Sequence, residues 1–129
     1  MIKKMMLVLV LFAILGPVAA GTYVEELIKK GATRLNEDQA RAHLSGRTEK
    51  WVNGGAYYGP DGKMEAIWKH RFRVGSWAVS DDGKVCYTLT KWEKLCQFYM
   101  NIDGAITMIW QGQSTGVKEM MDGNRLSDL

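Results

Sequence analysis

Residues 81–104 read DDGKVCYTLTKWEKLCQFYMNIDG, and this stretch decides the fold. An Asp-Gly turn stands near each end, because Asp and Gly tolerate the positive φ that tight hairpin turns require. Between the turns, residues 84–90 and 95–101 are rich in β-branched, aromatic and other apolar side chains, which indicates two strands. We predict that these strands pair as an antiparallel hairpin whose tip lies near Lys91-Trp92.

The two cysteines of the chain, Cys86 and Cys96, stand directly opposite each other in this hairpin register. A bridge between them would stabilise the fold by roughly 2 to 3 kcal/mol in the chain-entropy account of crosslinking. A redox-active or nucleophilic thiol pair is the alternative, but the close Cys-x-x-Cys spacing that lowers a thiol pKa is lacking. We expect a structural disulfide, which forms in an oxidising compartment.

The N-terminus has the layout of a secretory signal peptide. Residues 1–4 form a short basic start, residues 5–15 form an apolar run, and small residues follow up to Ala20. The apolar run is far shorter than the roughly 20 residues that span a bilayer, so we expect no stable membrane anchor. We predict cleavage near Ala20, a signal peptide over 1–20, a single exported β-rich domain over 21–129, and a periplasmic or secreted location.

The charge balance argues against a nucleic-acid partner. The chain has 17 Lys and Arg against 14 Asp and Glu, but Lys3 and Lys4 belong to the predicted leader. Without them 15 basic residues face 14 acidic ones, so the domain lacks the basic field that phosphate neutralisation requires.

Two short helices are predicted before the β region. Thr22 and Glu25 form a capping-box pattern for the first helix, which Gly31 should end. Asn36 and Gln39 repeat that pattern for the second helix, which we expect to lie against the sheet.

From Thr48 onward, short apolar and aromatic runs alternate with turn residues. This spacing predicts an α+β, mainly β fold, an antiparallel meander that forms either a curved sheet or a small barrel. The predicted strands are 50–52, 56–59, 63–69, 72–80, 84–90, 95–101, 105–111 and 115–120.

Alternation along residues 63–74 predicts one buried face and one solvated face. Gly75 is then expected to mark a bulge or bend. The predicted buried face carries Met64, Ala66, Trp68, His70, Phe72 and Val74.

Several motifs follow one another along the predicted domain. They are LSGRT at 44–48, YYGPDG at 57–62, GSWAV at 75–79, DGKVC at 82–86 and the second cysteine, Cys96. This order resembles the bacterial domain-of-unknown-function family 995, from about Gly31 to Leu126. The resemblance implies an exported single domain and assigns no catalytic residue.

A basic cluster stands out between the third and fourth predicted strands. Lys69, Arg71 and Arg73 point to one side of a strand, with His70 among them. Such a cluster could bind an anionic headgroup, a glycan phosphate or an acidic protein groove. The alternative is a solvated sheet face that deters edge-to-edge association.

Aromatic side chains suggest a ligand site, because a ring of them could line the mouth of a barrel. The candidate ligand-lining residues are Tyr57, Trp68, Trp77 and Trp110, and packing in the core is the alternative for each. Trp92 lies at a predicted hairpin tip beside charged neighbours. It is therefore the best candidate for contact with a partner, together with Lys69, Arg71 and Arg73.

Three functional classes follow from the sequence. The first is a non-enzymatic binding protein that docks on an envelope or secreted protein, and the second is a lipocalin-like carrier of a small apolar ligand. The third is a small enzyme that uses His70. No metal-ligand spacing or cofactor motif occurs in the sequence, so we expect no metal site and no cofactor.

Overall fold

Successive hairpins build most of the chain in the computed structural model, which describes residues 21–114, 117 and 119–129. The predicted signal peptide, residues 1–20, lies outside the described residues. The helices are α1 (Gly21–Lys29), α2 (Glu37–Leu44) and a final 3₁₀ turn (Leu126–Asp128). The strands are β1 (Thr33–Arg34), β2 (Arg47–Trp51), β3 (Gly54–Tyr58), β4 (Lys63–Trp68), β5 (Arg71–Val79), β6 (Val85–Leu89), β7 (Leu95–Ile102), β8 (Ala105–Trp110), β9 (Gln113–Ser114) and β10 (Glu119–Asp122).

The ten strands found among the described residues belong to one antiparallel sheet. Its order is β10-β2-β3-β4-β5-β6-β7-β8-β9, and β1 pairs separately with the second half of β7. The sheet curls into an open half-barrel. The α+β, mainly β meander predicted from the sequence is confirmed, in the form of a curved sheet.

The hairpin predicted from residues 84–90 and 95–101 is also confirmed. Cys86 pairs with Cys96 across β6 and β7, and the two form a disulfide. The turns beside it use the predicted glycines, since Gly83 and Gly104 both have positive φ, +86° and +88°.

Strand bounds differ most at the two ends of the sheet. β2 begins at Arg47, three residues before the predicted start, and the short strands β1 and β9 were not predicted. The predicted strand over 115–120 falls partly on residues 115, 116 and 118, which lie outside the described residues.

The prediction of a buried face along residues 63–74 is wrong beyond Trp68. Lys69 and His70 have positive φ values of 49° and 68° and form a two-residue turn, so the alternation restarts in β5. Phe72 and Val74 therefore point outward, with 53% and 49% of their surface exposed.

The same turn carries the arginines to the opposite face. Arg71 pairs with Trp68 and Arg73 pairs with Ala66, so both arginines share the face that bears the main core. We call this face the inner face and the opposite one the outer face.

Gly75 lies in regular pairing between Met64 and Leu89, so the predicted bulge is wrong. A Cβ at this position would stand 1.8 Å from the Thr88 carbonyl oxygen. Close approach of β6, and not a bend, accounts for glycine here.

Helix α2 closes one end of the inner face. Its capping box is confirmed. The Asn36 side-chain oxygen accepts from the backbone N–H of Gln39, and the Gln39 side-chain oxygen accepts from the backbone N–H of Asn36, both at 2.9 Å. Ala40 and Leu44 are fully buried in the main core. The helix therefore lies against the sheet, as predicted.

Helix α1 packs on a second, smaller core. Val24 and Leu27 contact the cluster formed by Ala32, Met100 and Ile109, whereas Ile28 is exposed. No helix among the described residues is long and apolar enough to cross a membrane.

Candidate functional site

Four tryptophans converge at the end of the inner face opposite α2. Trp51, Trp68 and Trp110 are the last residues of β2, β4 and β8, and Trp92 lies at the tip of the β6–β7 hairpin. These strands run in the same direction in the meander, so their final residues meet at one end. A cavity of about 350 Å³ lies among the four rings.

This tryptophan cavity has an apolar wall with two polar side chains. Its volume falls at the lower end of the roughly 300 to 1,000 Å³ that small-molecule sites occupy. The remaining lining residues are Val52, Tyr87, Leu95, Gln97 and Met108.

Trp92 folds back over the cavity and is partly buried. Its backbone amide donates to the Leu89 carbonyl at 2.9 Å, and Lys91 adopts a positive φ of 68°, which turns the tip. The ring packs against the main core. The hairpin-tip position of Trp92 was predicted, and the tip curls inward, so that the ring is partly buried.

A second cavity of about 360 Å³ continues from the first. Trp68 and Trp92 belong to both walls, and the other lining residues are Lys69, Arg71 and Arg73. The four residues predicted to contact a partner therefore meet in one place, beside two of the tryptophans. We call this second cavity the cationic mouth.

The cations of the mouth have few partners. The Lys69 Nζ lies 5.6 Å from the centre of the Trp68 ring, a favourable cation–π distance. Arg73 donates through Nη1 to the Phe72 carbonyl at 3.2 Å, while its buried Nε has no hydrogen-bond partner among the described residues. None of the ion pairs found within 21–114, 117 and 119–129 involves Lys69, Arg71 or Arg73.

A buried polar cluster lies beneath the tryptophan cavity. The fully buried Glu49 accepts from the Trp51 indole at 2.8 Å, the Tyr58 hydroxyl at 3.0 Å and the Tyr99 hydroxyl at 2.6 Å. The Gln97 amide donates to both tyrosine hydroxyls, at 3.2 Å and 2.7 Å. Because Trp51 and Gln97 also line the cavity, this Glu49 cluster holds part of its wall in place.

Burial sets the protonation of the cluster. It raises the pKa of Glu49 above its ordinary value of 4.5, although the hydrogen bonds from Tyr99, Trp51 and Tyr58 oppose that change. Burial and the Glu49 carboxyl also raise the pKa of Tyr87 to about 12. Tyr87 is therefore a neutral hydroxyl at the cavity wall at physiological pH.

Two of the predicted ligand-lining residues lie elsewhere. Trp77 is buried in the core, where its indole donates to the Gly59 carbonyl at 2.8 Å and its ring packs edge-on against Tyr58. Tyr57 faces outward, paired with Thr48 in β2. Trp68 and Trp110 do line the cavity.

The histidines stand apart from any obvious catalytic arrangement. His70 is exposed in the β4–β5 turn, and His43 on α2 lies with its ring centre 5.4 Å from that of Tyr99. Among the described residues, no three His, Cys, Asp or Glu side chains converge to hold a metal ion.

Sequence reasoning missed Glu49 and Gln97. Glu49 lies within Arg47-Thr48-Glu49-Lys50, a polar run that resembles a loop in composition. The available signal was alternation, since Glu49 and Trp51 share one face of a strand that begins earlier than predicted.

The structure defines the class as an antiparallel half-barrel with an aromatic cavity and a cationic mouth. Residues 9–101 match the family described as a protein of unknown function, DUF995, and the chain belongs to that family. The match includes the cationic mouth and ends within β7, before Trp110. Searches of curated proteins and of solved structures found no match.

Proposed function

We propose that this protein is an exported binding protein that holds a small apolar ligand in the tryptophan cavity. The observation that carries the proposal is the position of four of the five tryptophans, at one end of the inner face around about 350 Å³ of space. This proposal is the carrier function among those expected from the sequence.

The arrangement of the tryptophans favours binding over core packing. The fifth tryptophan, Trp77, is part of the main core. It packs there with Tyr58 and other buried residues, at the end of the inner face nearer α2. The four others present apolar rings to a space that the described residues leave unfilled. A ligand would bury that surface, and aromatic surface is a large contributor to binding free energy.

Export is the second element of the proposal. The Cys86–Cys96 disulfide supports an oxidising compartment, and the layout of residues 1–20 supports a cleavable signal peptide. Sequencing the N-terminus of protein recovered from the periplasm and the medium tests this element. We expect a start near Gly21, and an unprocessed chain in the cytoplasm would refute export.

Docking on an envelope or secreted protein stays a prediction. The residues predicted for it, Trp92, Lys69, Arg71 and Arg73, line the two cavities, so a ligand and a protein segment would compete for them. The enzyme alternative gains no support from His70, because its exposed turn brings it no ion-paired carboxylate among the described residues.

A fluorescence titration tests the ligand site. The neutral probe N-phenyl-1-naphthylamine should bind with a rise in its own emission and a fall in tryptophan emission. Trp92→Ala and Trp110→Ala each remove an aromatic wall, and we expect about ten-fold weaker binding from each, since 1.4 kcal/mol corresponds to a factor of ten. Phe72→Ala is the matched control, because Phe72 is exposed on the outer face.

The pattern across variants decides the outcome. Weaker binding in both tryptophan variants with an unchanged Phe72→Ala protein would support the cavity. Equal affinity in all four proteins, or no binding to the wild type, would refute the proposed ligand site. Mass spectrometry of an organic extract from natively purified protein would then identify the natural ligand.

A further inference from the structure

The cationic mouth has a composition that the apolar cavity alone does not require. Lys69, Arg71 and Arg73 bring three positive charges to one short stretch of the inner face, next to Trp68. Like charges so placed repel one another, and cross-strand and same-face repulsion destabilises a sheet. A group that offsets this repulsion would have to be negatively charged.

The fold leaves room for such a group. β6 ends at Leu89, opposite Gly75, so no strand among the described residues pairs with Arg71–Val74 along the β6-facing edge of β5. The hairpin tip with Trp92 crosses that gap, and the space beneath it is the 360 Å³ of the mouth. Both arginines reach this space from the strand that forms its floor.

The protein supplies no visible counter-charge within its described residues. The Arg73 Nε is buried without an acceptor, and no ion pair found there engages Arg71. Glu93, the acidic neighbour of Trp92, is exposed and joins none of those ion pairs. A buried donor without a partner is costly, so an acceptor from a ligand is the natural complement.

The two cavities together fit a molecule with two different ends. Because Trp68 and Trp92 belong to both walls, the apolar cavity and the cationic mouth adjoin each other. We propose that the ligand is an anionic amphiphile, whose apolar body lies among the tryptophans and whose carboxylate or phosphate end group binds Arg71 and Arg73. This inference rests on the proposed function and specifies the ligand class for the same site.

The geometry assigns different tasks to the two arginines. Arg73 is partly buried and has a free Nε, so it can donate to the anion inside the mouth. Arg71 is exposed at the start of β5 and contributes charge at the entrance. Bidentate recognition of carboxylate and phosphate is the geometry for which the guanidinium group is suited.

Displacement of the neutral probe by matched ten-carbon compounds tests the inference. Decanoate and decyl phosphate carry the two proposed end groups, and decanol has the same apolar chain without a charge. We expect at least one of the anions to bind about ten-fold more tightly than decanol, the factor that a charge-assisted hydrogen bond supplies. Whichever anion binds more tightly identifies the end group.

Variants locate the effect on the arginines. Arg73→Gln and Arg71→Gln should each remove most of the preference for the anion and leave the affinity for decanol unchanged. Lys63→Gln is the matched control, because Lys63 is an exposed cation at the far end of β4. Melting temperatures show whether each variant is folded, and the exposed Arg71 gives a second variant if Arg73→Gln is unstable.

The possible failures are distinguishable. Equal affinity for decanol and both anions, or an anion preference that survives in both arginine variants, would overturn the inference and leave the apolar ligand site standing. A protein that binds neither the probe nor decanol would overturn the proposed function as well. A loss of anion preference in Lys63→Gln of the same size as in Arg73→Gln would also overturn the inference.

Discussion

The Glu49 cluster offers the sharpest test of the structure, because one substitution disconnects three hydrogen-bond donors. In Glu49→Ala the hydroxyls of Tyr58 and Tyr99 and the indole of Trp51 lose their common acceptor. Each stranded buried donor costs about 1 to 3 kcal/mol, and the three are neighbours whose costs are not independent. We therefore expect a loss of about 3 to 5 kcal/mol, a large part of the total stability of a small domain.

Glu49→Gln separates hydrogen bonding from charge. The amide oxygen can still accept from Trp51 and Tyr58, while the amide nitrogen replaces the acceptor of Tyr99. We expect a loss of about 1 to 3 kcal/mol near pH 4, the cost of one stranded donor.

The pH dependence of this loss has a definite sign. Burial raises the pKa of Glu49 above 4.5, so the folded protein holds the proton more tightly than the unfolded chain. The contribution of Glu49 to stability is therefore complete below pH 4.5 and is lost as the pH rises through the folded-state pKa. The stability advantage of the wild type over Glu49→Gln should be largest at pH 4 and should shrink towards pH 8.

Urea denaturation at several pH values measures both quantities. Unfolding is followed by tryptophan emission, and the difference between wild type and Glu49→Gln cancels the titration of all other groups. A difference that is constant from pH 4 to 8, or that grows with pH, would refute the raised pKa. A loss below 1 kcal/mol in Glu49→Ala would refute the hydrogen-bonded cluster.

Four further predictions follow from the fold. Thiol titration of the native protein should find no free sulfhydryl before reduction, and two equivalents would contradict the Cys86–Cys96 bridge. Replacing both cysteines by serine should lower the free energy of unfolding by roughly 2 to 3 kcal/mol in urea; an unchanged midpoint would argue against it. Trp92→Ala should lower the free energy of unfolding by about 2 kcal/mol, less than the roughly 3 to 5 kcal/mol lost when a fully buried aromatic side chain is removed. The melting temperature measures this loss. Burial, and then the charge of Arg47, lower the pKa of His43. The free energy of unfolding of His43→Gln should therefore increase relative to that of the wild type as the pH falls below 6.5. Equal acid sensitivity of the two proteins would contradict this.

The hairpins were predictable because their signals are local. Asp103-Gly104 adopts positive φ at both positions, as its composition indicates, and the opposed cysteines follow from a register that the turn fixes. The capping box of α2 is equally local, since Asn36 and Gln39 stand three residues apart.

The inner and outer faces were not predictable along β5 because the turn that sets them has no turn signal. Lys69 and His70 adopt positive φ without Gly, Asn or Asp at either position. If the alternation is counted through this turn without a break, Phe72 is placed on the inner face and Arg73 on the outer face. The error in face explains why the arginines were predicted on a surface and not beside tryptophans.

The tryptophan cavity depends on the topology of the whole sheet, so its members could not be selected by residue type. Trp68 and Trp110 were predicted as lining residues along with Tyr57 and Trp77, and the sequence gives all four similar surroundings. The distinction is positional, because Trp68 and Trp110 end their strands and Trp77 lies inside β5.

The disulfide hairpin, which was predictable from the sequence, carries Trp92 to the tryptophan cavity, which was not. β6 and β7 pair over only three rungs, from Val85 opposite Gln97 to Tyr87 opposite Leu95, and the chain beyond them carries Trp92 over both cavities. This short ladder gives the base of the tip few β6–β7 backbone hydrogen bonds. The bridge lies in the middle of those rungs, on the outer face, where it fixes the base of the tip without entering the cavity. A crosslink visible in the sequence thus supports the element that covers the proposed ligand site.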